Sequence, residues 1–204
     1  MVNRRLHYTP ATELVARIRD KSLSPVELMT ATIARAEALN PRLNAICTET
    51  FESALAQARR AEAMLMRGDQ LPPLHGIPTT IKDLALTKGV RTAAGSQVFA
   101  DRVPDIDHAH VERMRAAGMI SIGKTTTSEF GWSGVSNSPL TGITHNPWQQ
   151  GMNAGASSAG AAVVSTRGSR KIAVRSTTTR SWSAPLLSTS IGRKVITPRS
   201  NANA

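Results

Sequence analysis

The stretch Met119-Ile120-Ser121-Ile122-Gly123-Lys124-Thr125 decides how this chain folds. Its first four residues form a short apolar run bounded by glycines, which predicts a buried strand, with Gly123-Lys124-Thr125 as the turn leaving it. Upstream, Val111, Met114 and Ala117 recur at helical spacing, with Asp107 as the expected N-cap and Gly118 at the C-terminal end. Earlier still, Thr79-Thr80-Ile81 is a β-branched run that stops at Lys82-Asp83 and places Lys82 at the end of another strand. Strand, helix and strand in this order predict an α/β sheet.

Helices precede that unit. Thr9-Pro10 marks an N-cap and first helical position, with Leu14, Val15 and Ile18 on one face up to about Asp20. Ser24-Pro25-Val26-Glu27 is a capping box with proline at the first helical position, and its helix is expected to stop at Asn40-Pro41. Asn44 to Thr48 fits a short strand, and the alanine-rich Phe51 to Arg67 fits a helix closed by Gly68. Residues 131 to 160 are rich in Gly, Ser, Asn and Pro and predict a long loop, which in a compact domain is functional or disordered.

Composition bounds the rest. A chain of 204 residues suits one domain, and 40% hydrophobic with 3% aromatic residues calls for a core of Ala, Leu, Ile, Val and Met, hence alanine-rich helices. The formal charge of +11 is unevenly spread: residues 165 to 204 hold 8 Lys or Arg, 14 Ser or Thr and no Asp or Glu. The expected organisation is therefore one domain over residues 1–164 and a disordered basic tail over 165–204. Cys47 is the sole cysteine, which excludes an internal disulfide and fits a reducing compartment. No secretory signal pattern and no run of about 20 apolar residues occurs, so a soluble cytoplasmic protein is expected.

Few residues stand out chemically. The cluster Gly155-Ala156-Ser157-Ser158-Ala159-Gly160 is a tight turn or linker by local sequence alone. Its functional counterpart lets backbone approach a substrate while serine supplies a nucleophile or proton relay. Lys82, between Ile81 and Leu84 with Asp83, is a solvated surface charge or a desolvated general base, and serine paired with lysine is a known variant of serine catalysis. Gly123-Lys124-Thr125 has the ending of a phosphate-binding loop but lacks the upstream glycine at the required position. His108 and His110 are expected on opposite faces of a helix, which makes them poor joint metal ligands; neither metal nor cofactor is expected.

Taken together, the motifs resemble the amidase signature hydrolases. The likeness runs from about His7 to Val164 through Ala11-Thr12-Glu13-Leu14, Ser24-Pro25-Val26-Glu27-Leu28, Asn40-Pro41-Arg42-Leu43-Asn44-Ala45 and His75-Gly76-Ile77-Pro78. It continues through Ile81-Lys82-Asp83, Gly95-Ser96, Arg115-Ala116-Ala117-Gly118, Gly123-Lys124-Thr125, Glu129-Phe130-Gly131 and Asn146-Pro147-Trp148. The resemblance implies the family's mixed sheet with flanking helices, incomplete here because members run to more than twice this length. It also implies hydrolysis of carboxylic amides by a lysine, a bridging serine with a cis peptide bond, and a nucleophilic serine. Lys82 matches the lysine and Ser157 the bridging serine. The family's spacing puts the nucleophile at Ser181, within Thr177-Thr178-Thr179-Arg180-Ser181-Trp182, a stretch with no glycine to build an oxyanion hole, whose donors are worth ~3 kcal/mol in the transition state.

The surroundings of Ser181 lead us to expect that residues from about 165 are not family sequence, as after a shifted reading frame or altered exon. Three readings follow. The first is a truncated amidase on a small-molecule amide, its activity as it stands left open by the surroundings of Ser181. The second is a component like the A-type subunit of the amidotransferases, acting on tRNA-linked substrates together with partner proteins. The third is a non-catalytic truncated product whose basic tail binds anionic surfaces in a salt-sensitive way. No membrane and no specific nucleic acid partner is expected for the first, and an intact relative is free to form a homodimer.

Overall fold

Ser24 opens the longest helix of the computed structural model, which describes residues 6–149, 151–155 and 157–168. Its side chain accepts from the Val26 and Glu27 backbone N–H groups at 3.0 and 3.1 Å and donates to Glu62 of the next helix. Ser24→Ala is expected to lower unfolding free energy by about 1–2 kcal/mol, read from urea denaturation, because both the cap and the link to Glu62 disappear.

The described residues form α1 (Ala11–Arg19), α2 (Pro25–Leu43), β1 (Ile46–Glu49), α3 (Phe51–Arg67), β2 (Pro78–Lys82) and α4 (Ala109–Ala116). After these come β3 (Ile120–Thr125), the short pair β4 (Asn137–Ser138) and β5 (Gly142–Ile143), and α5 (Ala159–Gly168). Strands β1, β3 and β2 make a mixed sheet in that order: β3 is antiparallel to β1 and parallel to β2. The expected α/β sheet with flanking helices is thus present. Helix α1 starts one residue later than Thr9-Pro10 suggested, with Pro10 at the cap.

Several local expectations are corrected. Pro41 does not end α2, which continues to Leu43 and stops at Asn44 in the left-handed conformation (φ 48°). In the last turn, proline forfeits only the bond to the exposed Glu37 carbonyl, which water can replace. Asn40 then takes over the turn, accepting from the Ala45 and Ile46 N–H groups at 2.9 and 2.8 Å. Asp107 is not the cap of α4. His108 is, while the Asp107 carboxylate accepts from the Lys88 N–H at 2.6 Å and pairs with Arg115 at 3.2 Å, longer-range partners that outcompete the local one. The imidazoles of His108 and His110 lie 5.8 Å apart rather than on opposite faces, because His108 precedes the first helical residue. Gly123-Lys124-Thr125 is the end of β3, not a turn: Gly123 pairs with Glu49, Lys124 with Thr48, and Thr125 with both Ile46 and Lys82.

Helices α2 and α3 cover one face of the sheet. Met29, Ile33, Ala54, Ala58 and Ala61 meet Ile46, Ile120 and Ile122 there, and the alanines let the two helices approach closely. A second apolar cluster, including Leu14, Ile18, Leu28, Leu65 and Ile77, seats α1 against the other end of the layer. Ile81, Ala85 and Val111 make a third, which holds α4 against β2. No helix among the described residues is long and apolar enough to cross a membrane. Helix α5 carries on through Gly168, so the basic segment begins as helix; residues 169–204 lie outside the described residues.

Candidate active site

Lys82 closes β2, and its chain neighbours dictate how its amine is presented. The Ala85 N–H donates to the Lys82 carbonyl at 2.9 Å and the Asp83 N–H to the Thr125 carbonyl at 3.0 Å, so the chain turns sharply as it leaves the sheet. The amine itself donates to Ser157 Oγ at 3.0 Å, across 75 residues of sequence. Partial burial lowers the Lys82 pKa below the ordinary lysine value, since desolvation disfavours the charged form.

Ser157 reaches that position because α5 is pressed onto the sheet. The Gly160 N–H donates to the Thr126 carbonyl at 3.3 Å, and a Cβ at Gly160 would lie 2.4 Å from the Ala45 carbonyl oxygen and 2.5 Å from Thr126 N. Glycine is required at that point by close backbone approach. Ala159 and Val163 bury the underside of the helix, and Ser158 supplies the carbonyl for its first turn, accepting from Ala162 N–H at 3.0 Å. Among the described residues all peptide bonds are trans; the bond into Ser157 starts at residue 156, outside them.

Asp83 supports the site without touching the reacting groups named so far. Its carboxylate is buried and accepts from the Ala93 N–H at 3.2 Å and the Gly95 N–H at 3.3 Å. Burial raises its pKa, against the pull of the Gly95 and Ala93 donors and of Lys124 and Arg91. The loop it holds turns through Ala94 (φ 54°) and Gly95 (φ 66°), and Phe130 N–H returns to the Ala94 carbonyl at 2.8 Å. Ser96 Oγ donates to Glu129 at 2.7 Å, so the Gly95-Ser96 and Glu129-Phe130-Gly131 segments meet. A Cβ at Gly131 would stand 3.9 Å from the Lys82 amine and 2.6 Å from Leu84 Cδ1, which leaves glycine (φ 69°) as the lid over that lysine.

Of the three predicted catalytic residues, the structure brings Lys82 and Ser157 together; Ser181 lies outside the described residues. Lys124 was missed, because the sequence reading placed it in the turn after the strand, whereas it lies within β3. It is fully buried, and burial lowers its pKa to about 8 while Asp83 and Cys47 pull it up. Cys47 is half-buried, with its thiol turned to the Lys124 carbonyl at 3.5 Å, and burial together with Asp83 pushes its pKa up to about 12. It is therefore protonated and unreactive at neutral pH.

The arrangement suits proton transfer: a partly desolvated amine, a hydroxyl in contact with it, and a helix N-terminus directly after. Comparison with known proteins agrees. The sequence model of the family described as Amidase matches residues 27–180, reaching past Val164 and stopping one position before Ser181. An acylamidase of Rhodococcus erythropolis is 40% identical over 158 residues, 78% of this chain and 33% of that protein. The A-type subunit of a glutamyl-tRNA(Gln) amidotransferase from Geobacter metallireducens is 40% identical over 150 residues, 74% of this chain and 31% of its own. The crystal structure of a bacterial aryl acylamidase of the amidase signature family superimposes with a TM-score of 0.75 at 29% identity, covering 78% of this chain and 34% of that one. The chain thus spans about a third of the length of the curated relatives it matches. With the order of motifs, the mixed sheet and the lysine-serine contact in agreement, the chain belongs to the amidase signature family.

Proposed function

We propose that the protein serves the hydrolysis of carboxylic amides, and the contact of Lys82 Nζ with Ser157 Oγ at 3.0 Å is the observation that carries this reading. Neutral Lys82 takes the proton of Ser157, which takes that of a nucleophilic serine; the nucleophile attacks the amide carbonyl, and the amine leaves with a proton returned along the same path. Water then cleaves the acyl-enzyme to the acid. Ser181 is the candidate nucleophile by spacing alone. A small-molecule amide is the substrate class, with no cofactor, membrane or specific nucleic acid required; a cytoplasmic setting suits the lone cysteine, and a homodimer is compatible with an intact form.

Hydroxamate formation from a panel of simple amides in hydroxylamine tests this, with Lys82→Ala and Ser157→Ala beside the parent chain. Turnover abolished by both changes supports the reading; turnover indifferent to both refutes it. The pH profile is a further check. The active form of Lys82 is the neutral amine, so the rate rises with pH and levels off at a midpoint below that of an ordinary lysine, because burial depresses this group.

The similarity to the A-type component of the amidotransferases supports a second reading, in which the same relay releases ammonia for a tRNA-linked acceptor held by partner proteins. Ammonia release that depends on an added partner, with no hydrolysis of simple amides, would favour it.

A further inference from the structure

Lys124 takes no part in the relay, yet it is the largest side chain withdrawn entirely from solvent among the described residues. An ammonium in such a place is costly unless its protons meet acceptors. They do: Lys124 Nζ donates to the Ala85 carbonyl at 2.5 Å, to Thr87 Oγ1 at 2.8 Å and to Thr92 Oγ1 at 2.9 Å. A methionine would fill the same volume without the desolvation cost, so what the lysine adds is a directional link among three points. All three lie on the segment that follows Lys82. Ala85 is the closest link, since its N–H holds the Lys82 carbonyl while its own carbonyl is held by Lys124.

The opposite limb of that segment is tied by Asp83, which accepts from Ala93 and Gly95. The charged and titratable groups around Lys124 are Asp83, Cys47 and Asp107, which favour its charged form, and Arg102, which opposes it. In the sheet Lys124 pairs with Ile81 and its neighbour Thr125 pairs with Lys82, so the clamp and the reacting amine ride on adjacent rungs.

We propose that Lys124 is a positioning residue for the general base: by gripping Ala85, Thr87 and Thr92 its ammonium fixes the turn that aims the Lys82 amine at Ser157. This rests on the reading of Lys82 and Ser157 as a proton relay. No hydrogen bond joins Lys124 to Lys82 or Ser157, so the effect passes through the Ala85 carbonyl and the Thr87 and Thr92 hydroxyls to the turn that carries Lys82.

Trace acetylation with labelled acetic anhydride across a pH series, followed by peptide mass spectrometry, reads the pH midpoint of each lysine in the intact chain without needing turnover. In the parent, Lys82 is expected to react with a midpoint below the ordinary lysine value, because it is partly buried. In Lys124→Met the Lys82 midpoint rises toward the ordinary lysine value, as the amine loses its fixed, partly desolvated place. The Thr87→Val, Thr92→Val double variant, which keeps shape and removes two acceptors, shifts it the same way. Leu14→Ala, in a distant apolar cluster, is expected to lower the melting temperature and leave the Lys82 midpoint in place. A folded Lys124→Met chain with the parental Lys82 midpoint overturns the proposal, and should that variant not fold, the threonine double variant decides by the same criterion. If Lys82 in the parent already labels with the ordinary lysine midpoint, the relay reading itself fails and this proposal falls with it; a low parental midpoint that no variant moves removes only the role of Lys124.

Discussion

Lys82→Met is expected to lower amide turnover about 10³-fold or more, the scale of a lost general base, in any form of this protein that hydrolyses amides. Methionine matches the lysine stem, so the end of β2 and the packing of Leu84 against Gly131 persist, while the partly desolvated amine is removed. Thermal unfolding of the variant should therefore match or exceed that of the parent. Ser157→Ala breaks the same relay one step later, and the double variant should be no slower than the worse single one, since groups that act as a unit are not additive. Single-turnover acyl transfer at fixed pH measures all three. A Lys82→Met rate within tenfold of the parent would remove this lysine from the chemistry.

The second large effect concerns Gly160. A methyl group there meets the Ala45 carbonyl oxygen at 2.4 Å, Thr126 N at 2.5 Å and Thr126 Oγ1 at 2.6 Å. Two of these are backbone atoms joined to each other, because Thr126 N–H donates to the Ala45 carbonyl at 3.0 Å, so neither can retreat without opening the junction between α2 and β3. Helix α5 must move instead. Gly160→Ala is expected to cost about 3 kcal/mol, the upper part of the range for overpacking, and to lower the melting temperature by roughly 6–12 °C. Since α5 carries Ser157 to Lys82, the variant should also raise the Lys82 labelling midpoint. A loss under about 1 kcal/mol would mean that α5 is not seated on the sheet as described.

Sequence reading succeeded where local chemistry is strong. The Ser24-Pro25 start, the alanine-rich α3 with its Gly68 stop, and strand β2 ending at Lys82 all follow from caps, propensity and pattern within a few residues. It erred where a distant partner prevailed: Asp107 was drawn from its cap by Lys88 and Arg115, and Pro41 was absorbed into a last turn that Asn40 completes. Helix α5 was also passed over, because Gly155 to Gly160 reads as a loop until the alanines and valines behind it find a sheet to cover.

Lys82 and Ser157 could be named from motifs alone, since the residue types and their order are written along the chain. Their contact could not, because 75 residues separate them and only the seating of α5 on β3, through a glycine at backbone contact distance, closes that gap. Lys124 shows the same division from the other side. Its charge and its place after Gly123 are visible in the one-dimensional pattern, but a lysine is ordinarily solvated. Burial between β3 and the segment from Ala85 to Thr92, where three acceptors wait, is what turns it from a surface charge into a clamp. Whether a charged side chain is wet or dry depends on which distant segments pack around it, and local sequence carries no record of that.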